Sequence, residues 1–406
     1  MCFVTVPHPL GMISKEEVNA KVDAAFDDIV KAATAWTPSK EKQDAQVKPY
    51  PAKRFKFSGT YADVNDMFQK RKWSLSLPIV PPTVDKVAAM LKGTKRNPAE
   101  VLWVVPPRQG MLTVELVAAL GVMAGAKPEH MPLLIATVEA MADPVAAWRG
   151  PTTTTAATVP VFFISGPIIE KLKLNPGTGT AGGENPVTNA LGYFVNLVGD
   201  VVGGSVPPNF DKSTHGSSAD LVAMVFTENA KENPWKTTYA EEAGFKPSDS
   251  IVTHFSAYLG NANIDHDSKT GQRLLTTLST GLLGSASGLA SCLADYDASY
   301  AINNKVSFAF IVLCPEHAAT IAKDFPDQRA ARDFMRETAA MPYKFYSQET
   351  CVPGKDFGPY DENTFIPRFK KTESIKFFVS GGPGKQSQIC GPFPQAVKPV
   401  SKKIAE

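Results

Sequence analysis

The 406-residue chain has little cysteine, little histidine and no surplus of charge, and each shortage removes a class of function. Its five cysteines, Cys2, Cys292, Cys314, Cys351 and Cys390, are odd in number, scattered and without a CxxC pair. Neither a disulfide framework nor a zinc site is expected, and nothing in the pattern asks for another cofactor. Lys plus Arg number 42 and Asp plus Glu 40, so the net charge of +2 offers no large basic field to nucleic acid or to an anionic membrane. Long apolar runs are missing too: the best stretch, Leu112 to Ala126, is shorter than a membrane span and carries Glu115. The opening MCFVTVPHPLG has neither the charged nor the apolar region of a signal peptide. Unpaired thiols in a soluble chain fit a reducing intracellular compartment, or the chloroplast where a transit peptide has been removed.

What is present is an ordinary globular composition, 43% hydrophobic and 20% charged, with 33 prolines to fix loops. The length exceeds the size at which one hydrophobic core stops growing, which predicts more than one domain. Residues 1–36 read as the strand-helix remnant of a small domain. Cys2 to Val6 is a short strand, and Ser14-Lys15-Glu16-Glu17 is a capping box opening a helix with Val18, Val22, Ala25, Phe26, Ile29 and Ala33 on one face. Residues 37–60 turn polar and basic around Pro38, Pro49 and Pro51, an extended linker arm with Tyr50, Phe55 and Phe57 as anchors for assembly. Residues 392–406, PFPQAVKPVSKKIAE, form a second arm, with Phe393, Val397 and Val400 available to a neighbouring subunit.

Between the arms the order of elements recurs. Val101 to Val105 is a strand ending in Pro106-Pro107 and followed by the helical pattern Val114, Val117, Ala118, Val122. Phe308 to Leu313 is a similar run ending in Cys314-Pro315, then Ala318, Ile321 and Ala322; Pro107 and Pro315 stand 208 positions apart. Phe162 to Pro167 reappears as Phe377 to Pro383 at an offset of 215. The recurrence predicts an α/β fold of two similar lobes from an internal duplication, residues 61–205 and 206–391, each a mainly parallel sheet covered by helices.

Few residues suggest chemistry. Cys314-Pro315-Glu316-His317 sits at a strand-to-helix switch, where a helix N-terminus lowers a thiol pKa and the histidine can serve as base. The alternative is a small buried hydrophobe. Pro128-Glu129-His130 is the same triplet elsewhere, and it also reads as a helix start with Glu129 favoured by the dipole. Asp265-His266-Asp267, in a segment rich in Asn and Gly, could bind a metal or form a polar turn, and the turn is the expectation. Thr178 to Glu184 and Ser380 to Ser387, which holds Gly384-Lys385, fit no phosphate-loop fingerprint and read as a surface loop and a tight turn. An enzyme built on this chain would use a cleft between lobes, with Cys314, His317, His215 and Glu115 as catalytic candidates. Arg108, Glu129, His130 and Lys385 would bind a small anionic or carbonyl substrate.

Four segments, RKWSLSLPIVPPTVDKVAAML from Arg71, VPPRQGMLTVELVAALGVMAGAKPEHMPLLIATVEAM from Val105, THGSSADLVAMVFTENAKENPW from Thr214 and VLCPEHAATIAKDF from Val312, cover most of Arg71 to Met341. Together they resemble the UGSC family of selenoproteins and their cysteine counterparts, named for a Sec-Gly-Ser-Cys motif. PHPLG from Pro7 is similar to the end of the small redox domain that precedes this body in fused members. The resemblance keeps frame residues: Pro81-Pro82, Pro106-Pro107-Arg108, Glu115, Pro128-Glu129, His215 and Trp235. It departs where the family carries Asp-Gly at Leu75-Ser76, Cys at Ala126 and an Arg beside Asn-Ala-Thr in the loop Gly183 to Thr188, and the Sec-Gly-Ser-Cys motif is absent. A frame retained with reactive positions lost implies a catalytically altered, self-associating structural or scaffold protein whose partner is itself. The plan of duplicated lobes is weakly similar to that of the sheet-forming algal pyrenoid-shell proteins. The alternative is the large subunit of a thiol- or selenol-dependent oxidoreductase or lyase that borrows its redox group from a separate small subunit.

Overall fold

The computed structural model describes residues 4, 6, 13–35, 50–154, 157–206, 216–258, 262–284, 308–346, 361–392 and 398–405. They fall into two compact units, Met1–Lys48 and Pro49–Glu406. The first is built on helix α1 (Lys15–Thr34), opened by the capping box read from the sequence: the Glu17 amide donates to Ser14 Oγ and the Ser14 amide to the Glu17 carboxylate. Val22, Phe26, Ile29 and Val30 lie on one stripe of α1 and are exposed.

The second unit begins with an arm that runs into α2 (Tyr61–Lys70), capped by Thr60, and α3 (Val84–Leu91). Strand β1 (Val101–Val105) pairs antiparallel with β2 (Gly110–Thr113) through a turn holding a cis Pro106-Pro107 bond. Two almost wholly buried helices follow, α4 (Val114–Met123) and α5 (Met131–Ala142). Both are apolar all round, which places them inside rather than on the surface.

The main sheet comes next. Strand β3 (Thr158–Ser165) leads through α6 (Ile168–Lys171) and α7 (Pro186–Asn196) to β4 (Met224–Thr227), then α8 (Tyr239–Glu242), β5 (Ile251–Tyr258) and β6 (Ala262–Ile264). After α9 (Gly271–Gly284) the chain runs β7 (Ala309–Leu313), α10 (Pro315–Asp324), α11 (Gln328–Thr338), and a small pair β8 (Ala340–Pro342) and β9 (Phe365–Pro367). It ends in β10 (Ile375–Val379), β11 (Gln386–Pro392) and β12 (Val400–Lys403). The sheet order is β10-β7-β11-β5-β3-β4, with β12 also on β5 and β6 on β11. β3 with β4 and β7 with β10 are parallel, while β3 with β5, β5 with β11 and β11 with β7 are antiparallel. The fold is thus mixed α/β around a mixed sheet.

Alternation along the strands sorts three cores. On β3, Val161 and Phe163 face one way and Phe162 and Ile164 the other. On β7, Phe310 and Val312 join the first set, while Ile311 and Leu313 meet α9, α10 and α11. The shared face is aromatic. Phe163 stacks on Phe310 at 4.1 Å although two strands stand between theirs, so the sheet curls until its inner face closes on itself. Its two end strands then meet: Glu228, just past β4, bridges Ser380, just past β10. Gly381 and Gly382 make this approach possible. The Gly381 amide donates to the Pro176 carbonyl at 2.8 Å, and a Cβ on Gly382 would lie 2.1 Å from Thr178 Oγ1. The two glycine-rich segments singled out in the sequence therefore close the sheet on each other.

Several expectations are corrected here. Pro107 lies in a hairpin turn outside the large sheet and Pro315 opens a helix on one of its inner strands, so the two are not equivalent. Phe162 is on β3, flanked on both sides, whereas Phe377 is on end strand β10. Residues 61–205 and 206–391 do not hold separate sheets, because β3 of the first pairs with both β4 and β5 of the second. Nor is the sheet mainly parallel. Val400 belongs to its own chain's fold: it is buried and sits opposite His254, and β12 takes four residues of β5 as partners. Phe393 and Val397 lie outside the described residues, as do His215 and most of the strand expected from Cys2 to Val6.

Candidate functional site

The sheet's two parallel strand pairs end near each other, and each end carries a buried polar cluster. Parallel strands point their carboxyl ends the same way, where loops and helix starts gather.

At the β7–β10 end, Cys314 occupies the N-cap of α10 and Pro315 its first turn. His317, one turn in, is buried. Its Nε2 lies 3.1 Å from the Asp265 carbonyl, which only accepts, so the ring proton is held on Nε2. Nδ1 is left as an acceptor 2.8 Å from Ser387 Oγ, and that hydroxyl in turn accepts from the Cys314 amide at 3.4 Å. Burial works to raise the Cys314 thiol, but hydrogen bonding and the charge of His317 outweigh it, leaving the thiol below its usual range. Burial likewise works to lower His317, and the same contact with Cys314 outweighs it and raises the imidazole. The contact thus lowers the thiol and raises the imidazole together.

The surrounding turn is held by charge. Glu316 accepts the Gly384 and Lys385 amides at 2.6 and 2.9 Å, and these backbone donors hold its carboxyl below the ordinary value. The Gly-Lys turn is filled by the chain's own carboxylate, where a phosphate loop would leave its amides to a ligand. Lys385 Nζ donates to the His266 carbonyl at 2.9 Å. Asp265 works against burial by accepting from Thr277 and Ser268 and from the Asp267 amide, which brings its carboxyl down to about 2. It is the polar turn expected from the sequence.

At the β3–β4 end stands Glu228, only 3% exposed. Its Oε1 accepts the Tyr239 amide at 2.7 Å. Oε2 has no hydrogen-bond partner among the described residues, and the same holds for Ser165 Oγ and Thr227 Oγ1 beside it. The Ser165 hydroxyl stands near enough to favour the charged carboxylate without completing a hydrogen bond to it. Burial dominates and pushes the Glu228 carboxyl up to about 7. Nothing in the sequence around Thr227-Glu228-Asn229 marked this residue, since a charged residue after a short strand reads as surface.

The other candidates are dispersed. Glu115 accepts the Ala52 amide at 2.8 Å and pairs with Arg54 at 3.5 Å, fastening the arm to α4. The Arg108 amide donates to the Gly203 carbonyl, with its side chain against Gly204. His130 is buried, its Nδ1 accepting the Lys127 amide at 3.1 Å, and burial lowers its imidazole; Glu129 beside it is exposed. The structure therefore brings Cys314, His317 and Lys385 together and leaves Arg108, Glu115, Glu129 and His130 on other elements. A cleft of about 440 Å³ lined by Trp103, Trp148, Pro144, Arg149 and neighbours includes none of these candidates. Of the assembly residues, Tyr50, Phe55 and Phe57 are exposed, and Phe55 packs on Trp73 at 5.4 Å.

Among the described residues no group of His, Cys, Asp and Glu could hold a metal ion, and no helix is long and apolar enough to cross a membrane. Comparison with protein-family models, with curated proteins and with solved structures finds no match to this chain.

Proposed function

We propose that the chain is a self-associating structural protein, a catalytically altered relative of the UGSC family that works in a reducing compartment with itself as partner. The observation that carries this reading is the dispersal of the groups an anion or carbonyl site would need. Glu115 serves to fasten the arm, Arg108 packs against Gly204, and His317 is fixed from both ring nitrogens on a different hydrophobic core. Each has been taken into the framework.

Internal duplication is part of the proposal, with equivalences other than those first read from the sequence. From the centre of the sheet outward the strands run β5, β3, β4 on one side and β11, β7, β10 on the other. In chain order both sets are a strand, a helical crossover, a parallel neighbour and an antiparallel third. The Glu228 amide donates to the Ile164 carbonyl as the Ser380 amide does to Leu313, which matches Ser165 with Cys314. Two similar halves offer two similar surfaces, and contacts between unlike surfaces propagate instead of closing. Light scattering over a concentration series tests this: mass should grow with concentration, and the mass of one chain throughout overturns it.

A second reading, the large subunit of a thiol- or selenol-dependent enzyme with a separate redox subunit, rests on the Cys314–His317 contact. Rapid alkylation of Cys314 below pH 7, abolished in His317→Gln, supports it. A thiol that reacts only near its ordinary pKa removes it.

A further inference from the structure

Helix α1 and the arm leading into α2 are complementary in two independent respects. On α1, Val22, Phe26, Ile29 and Val30 form an apolar stripe between 40% and 57% exposed. At 3.6 residues per turn, Glu16, Asp23 and Asp27 run along one side of that stripe. The helix carries five acidic residues against three lysines. From Pro51 to Trp73 the balance is reversed: Lys53, Arg54, Lys56, Lys70, Arg71 and Lys72 stand against Asp63 and Asp66. All six basic residues are exposed. Between them lie the exposed rings of Phe55, Phe57, Tyr61 and Trp73, with the Arg71 guanidinium over Phe55 and Trp73 at 5.5 and 4.7 Å.

Exposed apolar surface of this kind, rimmed by charge, marks an interaction site. An amphipathic helix laid into an apolar surface is one of the recurring recognition modes, and complementary charge sets its orientation and its rate of encounter. We infer that the α1 face of one copy docks on the basic aromatic surface between Pro51 and Trp73 of a second copy. The contact is heterologous: each copy offers one helix and one receiving surface. A chain of such contacts does not close of itself. The inference rests on the self-association proposed above and names the surfaces that carry it.

The test uses full-length protein and sedimentation velocity. Val22→Asp/Phe26→Asp disables the helix face, and Lys53→Glu/Lys56→Glu disables the receiving surface while leaving Arg71 and Arg54 in place. Each variant alone should need at least about tenfold more protein to associate, a loss of roughly 1.4 kcal/mol. Mixing the two should yield a complex of two chains and no larger species, since one intact helix and one intact surface remain. Adding Asp23→Lys/Asp27→Lys to the Lys53→Glu/Lys56→Glu chain should restore association. Wild-type assembly matched by both variants overturns the inference and leaves self-association standing. A wild type that is one chain at every concentration overturns both. Variants that fail alone but do not pair when mixed assign the helix to its own chain and overturn the second copy as occupant.

Discussion

The two parallel strand pairs end alike in topology and oppositely in chemistry. Where β3 and β4 finish, Ser165, Thr227 and Glu228 leave three buried oxygens without hydrogen-bond partners among the described residues. Where β7 and β10 finish, Cys314, His317 and Ser387 form a hydrogen-bonded chain anchored on the Asp265 carbonyl, and Ser380 donates to the Thr227 carbonyl at 2.7 Å. Burial is the leading influence at both ends; at Glu228 it prevails, whereas at Cys314 the contact with His317 outweighs it. A buried carboxyl holds its proton to higher pH, and a buried thiol with a histidine alongside loses its proton at lower pH. One backbone arrangement thus carries opposite departures from ordinary acidity.

The comparison assumes that both ends belong to one cooperative body, and Phe163 tests that assumption most severely. Its ring stacks on Phe310 at 4.1 Å and contacts Phe226 and Phe378, residues from both sets of strands. Phe163→Ala should destabilise the protein by about 3–5 kcal/mol in urea unfolding with one transition retained. Two separated transitions would split the halves apart.

Next in size is the pH dependence carried by Glu228. Its carboxyl moves from an ordinary 4.5 to about 7, so the folded chain binds the extra proton between those values. The resulting stability is fully present below about pH 4.5 and is lost as pH rises through about 7, on the order of 3 kcal/mol. Buried His254, lowered to about 3, acts in the opposite sense: its contribution is present above pH 6.5 and is lost as pH falls toward 3. The informative quantity is therefore wild type minus Glu228→Gln in matched buffers, which should fall by roughly that amount from pH 4.5 to 8. A flat difference would place a donor on Oε2.

At the other end, iodoacetamide should modify Cys314 ahead of Cys390, whose thiol burial pushes up to about 12. Peptide mapping at pH 6.5 reads the ratio, and His317→Gln should move the midpoint of Cys314 labelling upward. The smallest effect is expected of Cys314→Ala, about 1 kcal/mol of stability with assembly unchanged, as for a small buried side chain.

Local structure was legible where local chemistry decides it. The Ser14 capping box, the strands at Val101, Phe162, Phe308 and Phe377, and the helix opened by Pro315 all lie where residue type and spacing put them. What the sequence concealed was pairing across distance. The run Val101 to Val105 has the apolar character of a buried strand but, among the described strands, pairs only with β2, because Gly110 and the proline turn fold it back at once. Neither the partnership of β12 with β5 nor the bridge from Glu228 to Ser380 leaves a local trace; each depends on how far the sheet curls. Of the site, Cys314 and His317 could be found from their spacing, while Ser387 and Glu228 required the third dimension.

The meeting of Glu228 with Ser380 reaches beyond acidity. An open sheet presents two rows of unpaired amides and carbonyls, a template on which another chain can grow by strand addition. Here the outermost strands run into each other at their carboxyl ends, and the two glycine-rich loops cover the junction. At this junction, the self-association proposed above would therefore proceed through side-chain faces and not by strand addition. Where charge carries such contacts they loosen in high salt and re-form when the salt is removed, and they give no signal with dyes that read cross-β ladders. The bridge and its glycine-rich cover thus withdraw one end of the large sheet from strand addition.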